Sequence, residues 1–112
     1  MGTHTHHIEV NTQNDTAKAT KDFKRLKKNQ DEVKFESNDG KTVIRYGGTS
    51  PFAEANEPKP NTIFDVGNTV KGPFKAANAG EHHFDCGFRN PAAPGGFSPW
   101  GRTQGDDTPV DP

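Results

Sequence analysis

The segment Glu81–Gly87 carries the side chains best suited to metal chemistry. It places His82 and His83 close in sequence to Cys86, the single cysteine of the chain. Imidazole nitrogens and thiolates are common ligands of zinc and copper. An N-terminal imidazole could complete such a site, and three are available: His4, His6 and His7. One hypothesis is therefore copper or zinc binding by His82, His83 and Cys86 together with an N-terminal histidine.

Strand geometry favours a different interpretation of this cluster. Residues 81–88 alternate as a strand, which places His82 and Cys86 on one face and His83 on the other. At a rise of about 3.3 Å per residue, the Cα atoms of His82 and Cys86 would lie about 13 Å apart. Metal–ligand bonds are only about 2.0–2.3 Å long. We therefore expect the apolar face of this strand in the core and the histidines at its rim, with metal binding as the alternative.

Nucleophilic and acid–base chemistry has little support in the sequence. Cys86 has no base on its own strand face, and a thiol flanked by phenylalanines is a small, inert apolar group. The motifs GxSxG and GxxxxGK[ST] are absent from the sequence. Paired acids occur at Asp31-Glu32 and Asp106-Asp107, in turn-like or tail sequence where carboxylates are usually solvated. We expect no enzymatic activity.

Aromatic side chains in loops are the candidates for a binding surface. They stand in the loops 47–61 and 89–102, which are rich in proline and glycine, and they are Phe52, Phe97 and Trp100. Loops carry binding residues more often than strands do. The alternative is that these rings only cover a thin core. The partner on this interpretation is an unidentified protein or small ligand.

The composition predicts that strands position these residues. The 112 residues suffice for one domain and include eight Phe but a single Leu, Leu26. A helix bundle or coiled coil needs far more leucine, whereas phenylalanine and valine favour strands. Twelve Gly and nine Pro add many loops. The sequence therefore predicts a small all-β domain with a thin core.

Alternating apolar and polar residues predict about seven short strands. Ser37–Gly40 is a strong hairpin signal. The stretch Thr16–Lys28 allows either a helix, by propensity, or irregular strands. The clearer strands are 4–12, one that includes 33–35, 41–46, 62–66, 69–76 and 81–88; Gly72-Pro73 indicates a sheet edge or a bulge. This spacing is typical of a small antiparallel β-sandwich or a partly open Greek-key barrel.

The C-terminal part of the chain differs in composition from the rest. The last 24 residues contain five prolines and four glycines, so we expect no regular structure there. The predicted organisation is a β-sandwich domain over 1–90, followed by a Pro/Gly-rich segment over 91–112. That segment is expected to pack on the domain or to be partly disordered.

Several partners and locations are disfavoured by the sequence. No apolar run of about 18 residues exists, so we expect no membrane partner. The N-terminus has no apolar signal-peptide core, which favours a cytoplasmic location, with a processed exported form as the alternative. The net charge is −1, and the basic residues cluster only within Lys21–Lys28, without a nucleic-acid-binding motif. We expect no nucleic-acid partner.

Three segments in chain order resemble the cupredoxin-like family of β-sandwiches. The first is the opening strand His6–Val10. The second, Phe23–Phe35, resembles that family's strand, Lys-Gly-Asp turn and Val-x-Phe strand, with Lys28–Asp31 in place of the turn. The third, Ala79–Gly87, is similar to the Gly-x-Tyr-x-Phe-x-Cys strand that precedes the copper loop. The resemblance spans residues 6–88 and implies strand for the ambiguous stretch.

The resemblance does not extend to the blue-copper site. That site needs a cysteine, two histidines and usually an axial methionine. Cys86 matches the cysteine, but no histidine follows it, none lies between residues 8 and 81, and the only methionine is Met1. The resemblance implies a cupredoxin-like scaffold without copper. We therefore expect a non-enzymatic binding or interaction module that needs no cofactor.

Overall fold

A computed structural model describes residues 2–90, 92 and 103–112. Within these residues the chain forms strands and turns and contains no helix, so the all-β prediction is confirmed. Among the same residues, no helix is long and apolar enough to cross a membrane. The strands are β1 (Thr3–Asn11), β2 (Thr16–Lys21), β3 (Leu26–Lys27), β4 (Glu32–Ser37), β5 (Thr42–Tyr46), β6 (Phe64–Asp65), β7 (Lys71–Lys75), β8 (His83–Phe88), β9 (Thr103–Gln104), β10 (Asp106–Asp107) and β11 (Val110–Asp111).

The strands form two main sheets and a short ribbon. The larger sheet has the order β7-β4-β1-β2-β9, the smaller has the order β10-β8-β5-β6, and β11 pairs with β3. Side chains of both sheets meet in one core, which is compatible with a β-sandwich. The expectation of purely antiparallel pairing is corrected, because β1–β4, β2–β9 and β3–β11 pair in parallel.

Local sequence explains the hairpin that opens the larger sheet. Asn11 ends β1, and its side-chain oxygen accepts hydrogen bonds from the backbone of Gln13 (3.0 Å) and Asn14 (3.1 Å). This Asx turn reverses the chain into β2. Within the ambiguous stretch Thr16–Lys28, the structure has strand at Thr16–Lys21 and Leu26–Lys27 and no helix. The Gly72-Pro73 strand, β7, lies at the edge of the sheet, and its pairing with β4 shifts register between Val33 and Phe35. The prediction of an edge or a bulge there is confirmed.

Aromatic rings from both sheets form the centre of the core. Phe84 of β8 lies with its ring centroid 4.8 Å from His6 of β1 and 6.0 Å from Phe35 of β4. Tyr46 of β5 lies 5.3 Å from the same Phe84 ring. All four side chains are fully buried. Edge-to-face packing of this kind adds about 0.5–1.5 kcal/mol per pair to the burial of apolar area, which helps a chain with few aliphatic residues.

Residues 103–112 pair with strands from the rest of the chain. β9 pairs with β2, β10 pairs with β8, and β11 pairs with β3, so this short stretch contacts both main sheets. The expectation of no regular structure in the last 24 residues is wrong for 103–112. The pairs are short and are formed with distant strands, so the local sequence carries no periodic signal for them. Residues 93–102 lie outside the described part of the chain.

A buried chain of polar groups joins this segment to the core. The Thr108 hydroxyl lies 2.9 Å from Nε2 of His6 and 2.6 Å from the hydroxyl of Tyr46. Nδ1 of His6 is buried without a hydrogen-bond partner in the described structure. Burial lowers the pKa of His6 to about 4, because the apolar surroundings disfavour the imidazolium form. The neutral ring is therefore part of the folded core.

Acidification is expected to destabilise the fold through His6. Its folded pKa of about 4 lies below the 6.5 of an ordinary histidine, so between these values the unfolded chain binds more protons. The contribution of neutral His6 to the free energy of unfolding is fully present above the unfolded pKa of 6.5, and it is lost as the pH falls toward the folded pKa of about 4. The difference corresponds to about 3 kcal/mol at most. Urea denaturation between about pH 7.5 and 4.5 should show this loss.

The control for this prediction is another histidine of the same strand. His6→Gln should weaken the dependence of unfolding free energy on pH. His7→Gln is the matched control, because the His7 side chain lies outside the core and is 43% exposed. Parallel pH profiles for His6→Gln and the wild type would contradict the assignment.

Gly105 marks a close approach between the C-terminal segment and β8. A Cβ built at this position would overlap the carbonyl oxygen of Phe84. The two backbones therefore pack more closely than any larger residue permits. This explains why a glycine separates β9 from β10.

Substitution at this contact should destabilise the protein. Gly105→Ala should lower the free energy of unfolding by about 1–3 kcal/mol, because β10 must move away from β8. Gly47→Ala is the matched control, since a Cβ there meets no atom within 4 Å. Urea denaturation checks both variants, and equal stability of the two would show that the close approach is unimportant.

Candidate functional site

The structure places Cys86 in the interior of the protein, in surroundings that do not favour metal binding. The residue has 0% exposure, and its thiol lies 3.3 Å from the carbonyl oxygen of Gln104, to which it donates. Burial raises the pKa of the thiol to about 12, with the nearby carboxylates of Asp85 and Asp106 adding to the effect. Burial and the nearby negative charges both oppose formation of the thiolate, which is the form that attacks electrophiles and binds metals.

The histidines of the candidate cluster point elsewhere. His83 lies on the outer face of β8, where Nδ1 is 2.8 Å from Asp107 and Nε2 is 3.4 Å from Asp85. These carboxylates raise its pKa against the opposing effect of partial burial. His82 precedes β8, and its two ring nitrogens form hydrogen bonds with Thr49 and with the backbone of Asn78. Residues 2–90, 92 and 103–112 hold no group of three or more His, Cys, Asp or Glu arranged for a metal ion.

The N-terminal histidines also have separate surroundings. His4 lies between Asp22 (3.9 Å) and Asp31 (3.8 Å). His6 is in the core, and His7 lies on the outer face of the larger sheet, 3.0 Å from Glu9. The structure therefore does not bring His82, His83 and Cys86 together with an N-terminal imidazole.

The buried thiol should be chemically inert while the protein is folded. At about pH 8, a pKa of about 12 leaves on the order of one thiol in 10⁴ ionised, and burial also blocks access. We expect native Cys86 to react with Ellman's reagent at least about 100-fold more slowly than the protein in urea. Ala55→Cys in a Cys86→Ser background supplies an exposed thiol for comparison. Equally fast labelling of the native wild type would refute the buried assignment.

Phe52, the one residue of the predicted aromatic surface among those that the structure describes, belongs to the core. Phe52 is only 5% exposed, and its ring packs at 6.0 Å from Phe35 and 5.5 Å from Phe74. It therefore anchors the 47–61 loop on the core, which was the alternative interpretation of a loop aromatic. Phe97 and Trp100 lie outside the described residues.

A cleft opens directly above the Phe52 anchor. It has a volume of about 500 Å³, within the range of small-molecule sites, and lies between the 48–53 segment and the 78–82 segment. Among the residues that the structure describes, none that lines the cleft is a carboxylate, a lysine or an arginine. The lining residues are Gly48, Thr49, Ser50, Phe52, Ala53, Pro60, Asn78, Ala79 and His82.

His82 adopts a strained conformation at one wall of the cleft. Its φ is +33°, in the left-handed region that residues with a Cβ rarely enter. Nδ1 lies 2.8 Å from the Thr49 hydroxyl, and Nε2 lies 2.8 Å from the backbone carbonyl of Asn78. The imidazole passes so close to Gly80 that a Cβ there would lie 3.2 Å from it. Such strain costs about 1–3 kcal/mol and is typical of functional sites.

Ser50 and Asn78 hold the two walls in register. The Ser50 hydroxyl donates to the Pro58 carbonyl (2.6 Å) and accepts from the backbone of Phe52 (3.2 Å). The Asn78 amide donates to the carbonyls of Ser50 (3.1 Å) and Phe52 (3.3 Å). The cleft therefore has a framework of fixed polar groups around an apolar floor.

Sequence reasoning identified part of this site. It selected the 47–61 loop and Phe52 for a binding surface and His82 only for the alternative metal site, and it missed Thr49, Ser50 and Asn78. The proline-rich loop 47–61 and the departure of His82 from strand geometry bring these residues together. Polar residues beside Gly47-Gly48 and in the Asn78–Gly80 turn were the available signal, although such residues are ordinary in turns.

Comparison with known proteins adds no assignment to this geometry. No protein-family model matches the chain, and neither a curated protein nor a solved structure matches it significantly.

Proposed function

We propose that this protein is a non-enzymatic binding module that takes a small ligand in the cleft between segments 48–53 and 78–82. The observation that carries the proposal is the framework around His82, whose strained backbone is held by hydrogen bonds from both walls. Pre-organised polar groups above an apolar floor are typical of small-ligand sites. A wall fixed before binding also lowers the entropy that the complex must lose.

The charge of the cleft favours an uncharged ligand. Among the described residues, the lining holds no carboxylate, lysine or arginine side chain. An ion leaving water for this cleft would find no opposite charge to replace its hydration. The apolar floor, formed by Phe52 and Pro60 with Ala53 and Ala79, instead suits an aromatic or aliphatic body.

The arrangement of hydrogen bonds favours binding over catalysis. The Thr49 hydroxyl lies beside the His82 imidazole, and in other proteins such a base activates a hydroxyl as a nucleophile. Acyl transfer also needs donors aimed at a developing oxyanion. The backbone N–H of Gly48 already donates to Asn61 (3.0 Å), and Asn78 donates to two carbonyls. No lining side chain is left to stabilise such an oxyanion.

The scaffold of this module is proposed to be cupredoxin-like. Two features support that relation, namely the parallel pairing of the opening strand with the Val33–Phe35 strand and the position of Cys86 within a central strand. The three segments that resemble the family fall on β1, on β3 with β4, and on β8. Copper binding is not part of the proposal.

Filling the cleft should abolish ligand binding. Ala79→Phe places a large ring in the space beside His82, while Ala55→Phe makes the same change at an exposed loop position that does not line the cleft. We expect benzyl alcohol and phenol to shift the backbone amide signals of Thr49, Ser50 and His82 in wild-type and Ala55→Phe NMR spectra. Ala79→Phe should lose these shifts.

Two results would overturn the proposed site. One is that neither compound perturbs the cleft signals of the wild type at millimolar concentration. The other is that Ala79→Phe binds as well as Ala55→Phe does. Hydrolysis of 4-nitrophenyl acetate that is lost in Thr49→Val would contradict the non-enzymatic assignment separately.

A further inference from the structure

The side-chain hydrogen bonds of the cleft determine which side-chain polar groups are left for a ligand. Four lining residues have side chains with an N–H or O–H: Thr49, Ser50, Asn78 and His82. Ser50 uses its hydrogen on the Pro58 carbonyl, and Asn78 uses both of its amide hydrogens on the carbonyls of Ser50 and Phe52. Only the hydrogens shared between Thr49 and His82 then need to be placed.

The tautomer of His82 places those last two hydrogens. A neutral imidazole donates from one nitrogen and accepts at the other. Nε2 faces the backbone carbonyl of Asn78, which can only accept, so Nε2 carries the hydrogen. Nδ1 then accepts from the Thr49 hydroxyl. Every side-chain donor that lines the cleft is therefore committed to a protein acceptor.

Side-chain acceptors remain uncommitted in the same place. The Thr49 oxygen keeps lone-pair capacity after donating to His82, and the Asn78 Oδ1 atom has no hydrogen-bond partner among the described residues. The orientation of the Asn78 amide is fixed by the two carbonyls that face its nitrogen, so its oxygen is the acceptor left over. The side chains of the cleft offer acceptors to a ligand and no donors.

We propose that the cleft selects uncharged ligands with an apolar body and a hydrogen-bond donor, such as phenols, alcohols and N–H amides. This inference rests on the proposed binding function and specifies its ligand class. A ligand hydroxyl or amide N–H meets the Thr49 oxygen or the Asn78 amide oxygen while its ring lies on Phe52. A ligand with acceptors alone finds no free side-chain donor among the described lining residues and is disfavoured. Absence of an opposing charge disfavours both carboxylates and ammonium groups.

Matched pairs of small compounds test the donor requirement. Phenol with anisole, benzyl alcohol with benzyl methyl ether, and benzamide with N,N-dimethylbenzamide differ in the donor while keeping the ring. NMR titration at about pH 8, where an ordinary histidine is neutral, gives each dissociation constant. We expect the donor of each pair to bind about fivefold more tightly in the wild type. Benzoate and benzylammonium should bind more weakly than benzyl alcohol.

Variants at Thr49 assign the preference to a named atom. Thr49→Val removes the oxygen at nearly constant volume and should reduce the donor preference to about twofold, while anisole affinity stays the same. Thr49→Ser keeps the hydroxyl and should retain the preference. Thr12→Val is the matched control at an exposed turn outside the cleft. If Thr49→Val also loses anisole, the three wild-type comparisons and Thr49→Ser decide the question.

The outcomes separate this inference from the proposed function. Equal binding of donor and acceptor compounds at the cleft, tighter binding of either ion, or an unchanged preference in Thr49→Val with intact anisole binding overturns the inference and leaves the binding module standing. Failure of every compound to bind at the cleft overturns the proposed function itself.

Discussion

The buried hydroxyl of Thr108 is the contact on which the arrangement of the two sheets depends. It lies between His6 of β1 and Tyr46 of β5, so one oxygen atom connects both main sheets. The backbone of the same residue donates to the carbonyl of His82 (2.9 Å), at the edge of the cleft. A buried polar group without a partner costs about 1–3 kcal/mol, so the three side chains tolerate few other arrangements. This constraint positions a tail that has little apolar area of its own.

The aromatic core explains why a polar connection is tolerated at the centre. Rings of Phe35 and Phe84 pack against the His6 imidazole at 5.4 Å and 4.8 Å, so the histidine contributes to core packing as another flat ring. Rings occupy the centre of the core beside aliphatic side chains such as Ile8, Leu26 and Val33. The hydrogen bonds of Thr108 with His6 and Tyr46 add a specific alignment of the two sheets. The orphan Nδ1 atom of His6 is the cost of this solution.

The sequence predicted features that repeat along one strand. Apolar residues at every second position identified β1 and β8, and burial of Phe84, Cys86 and Phe88 follows that period. The same parity places His6 beside Ile8 on the inner face of β1, although a histidine there is not recognisable as a core residue. Features that join distant segments were not predictable in this way. Thr108 reaches Tyr46 across 62 positions, and Thr49 reaches His82 across 33. The strands of 103–112 depend on such contacts, so no local period marks them.

The same constraint connects the core to the cleft. The positive φ of His82 turns the chain away from the line of β8, so that its carbonyl meets Thr108 while its ring turns toward Thr49. A residue in regular strand geometry would continue the alternation of β8 and could not satisfy both contacts. The strained backbone of His82 therefore supports two contacts. One is the hydrogen bond that holds Thr108 against the body of the fold, and the other is the hydrogen bond to Thr49 in the cleft. Because both depend on one backbone conformation, a change that relaxes His82 would affect the stability of the fold and the proposed ligand selection together.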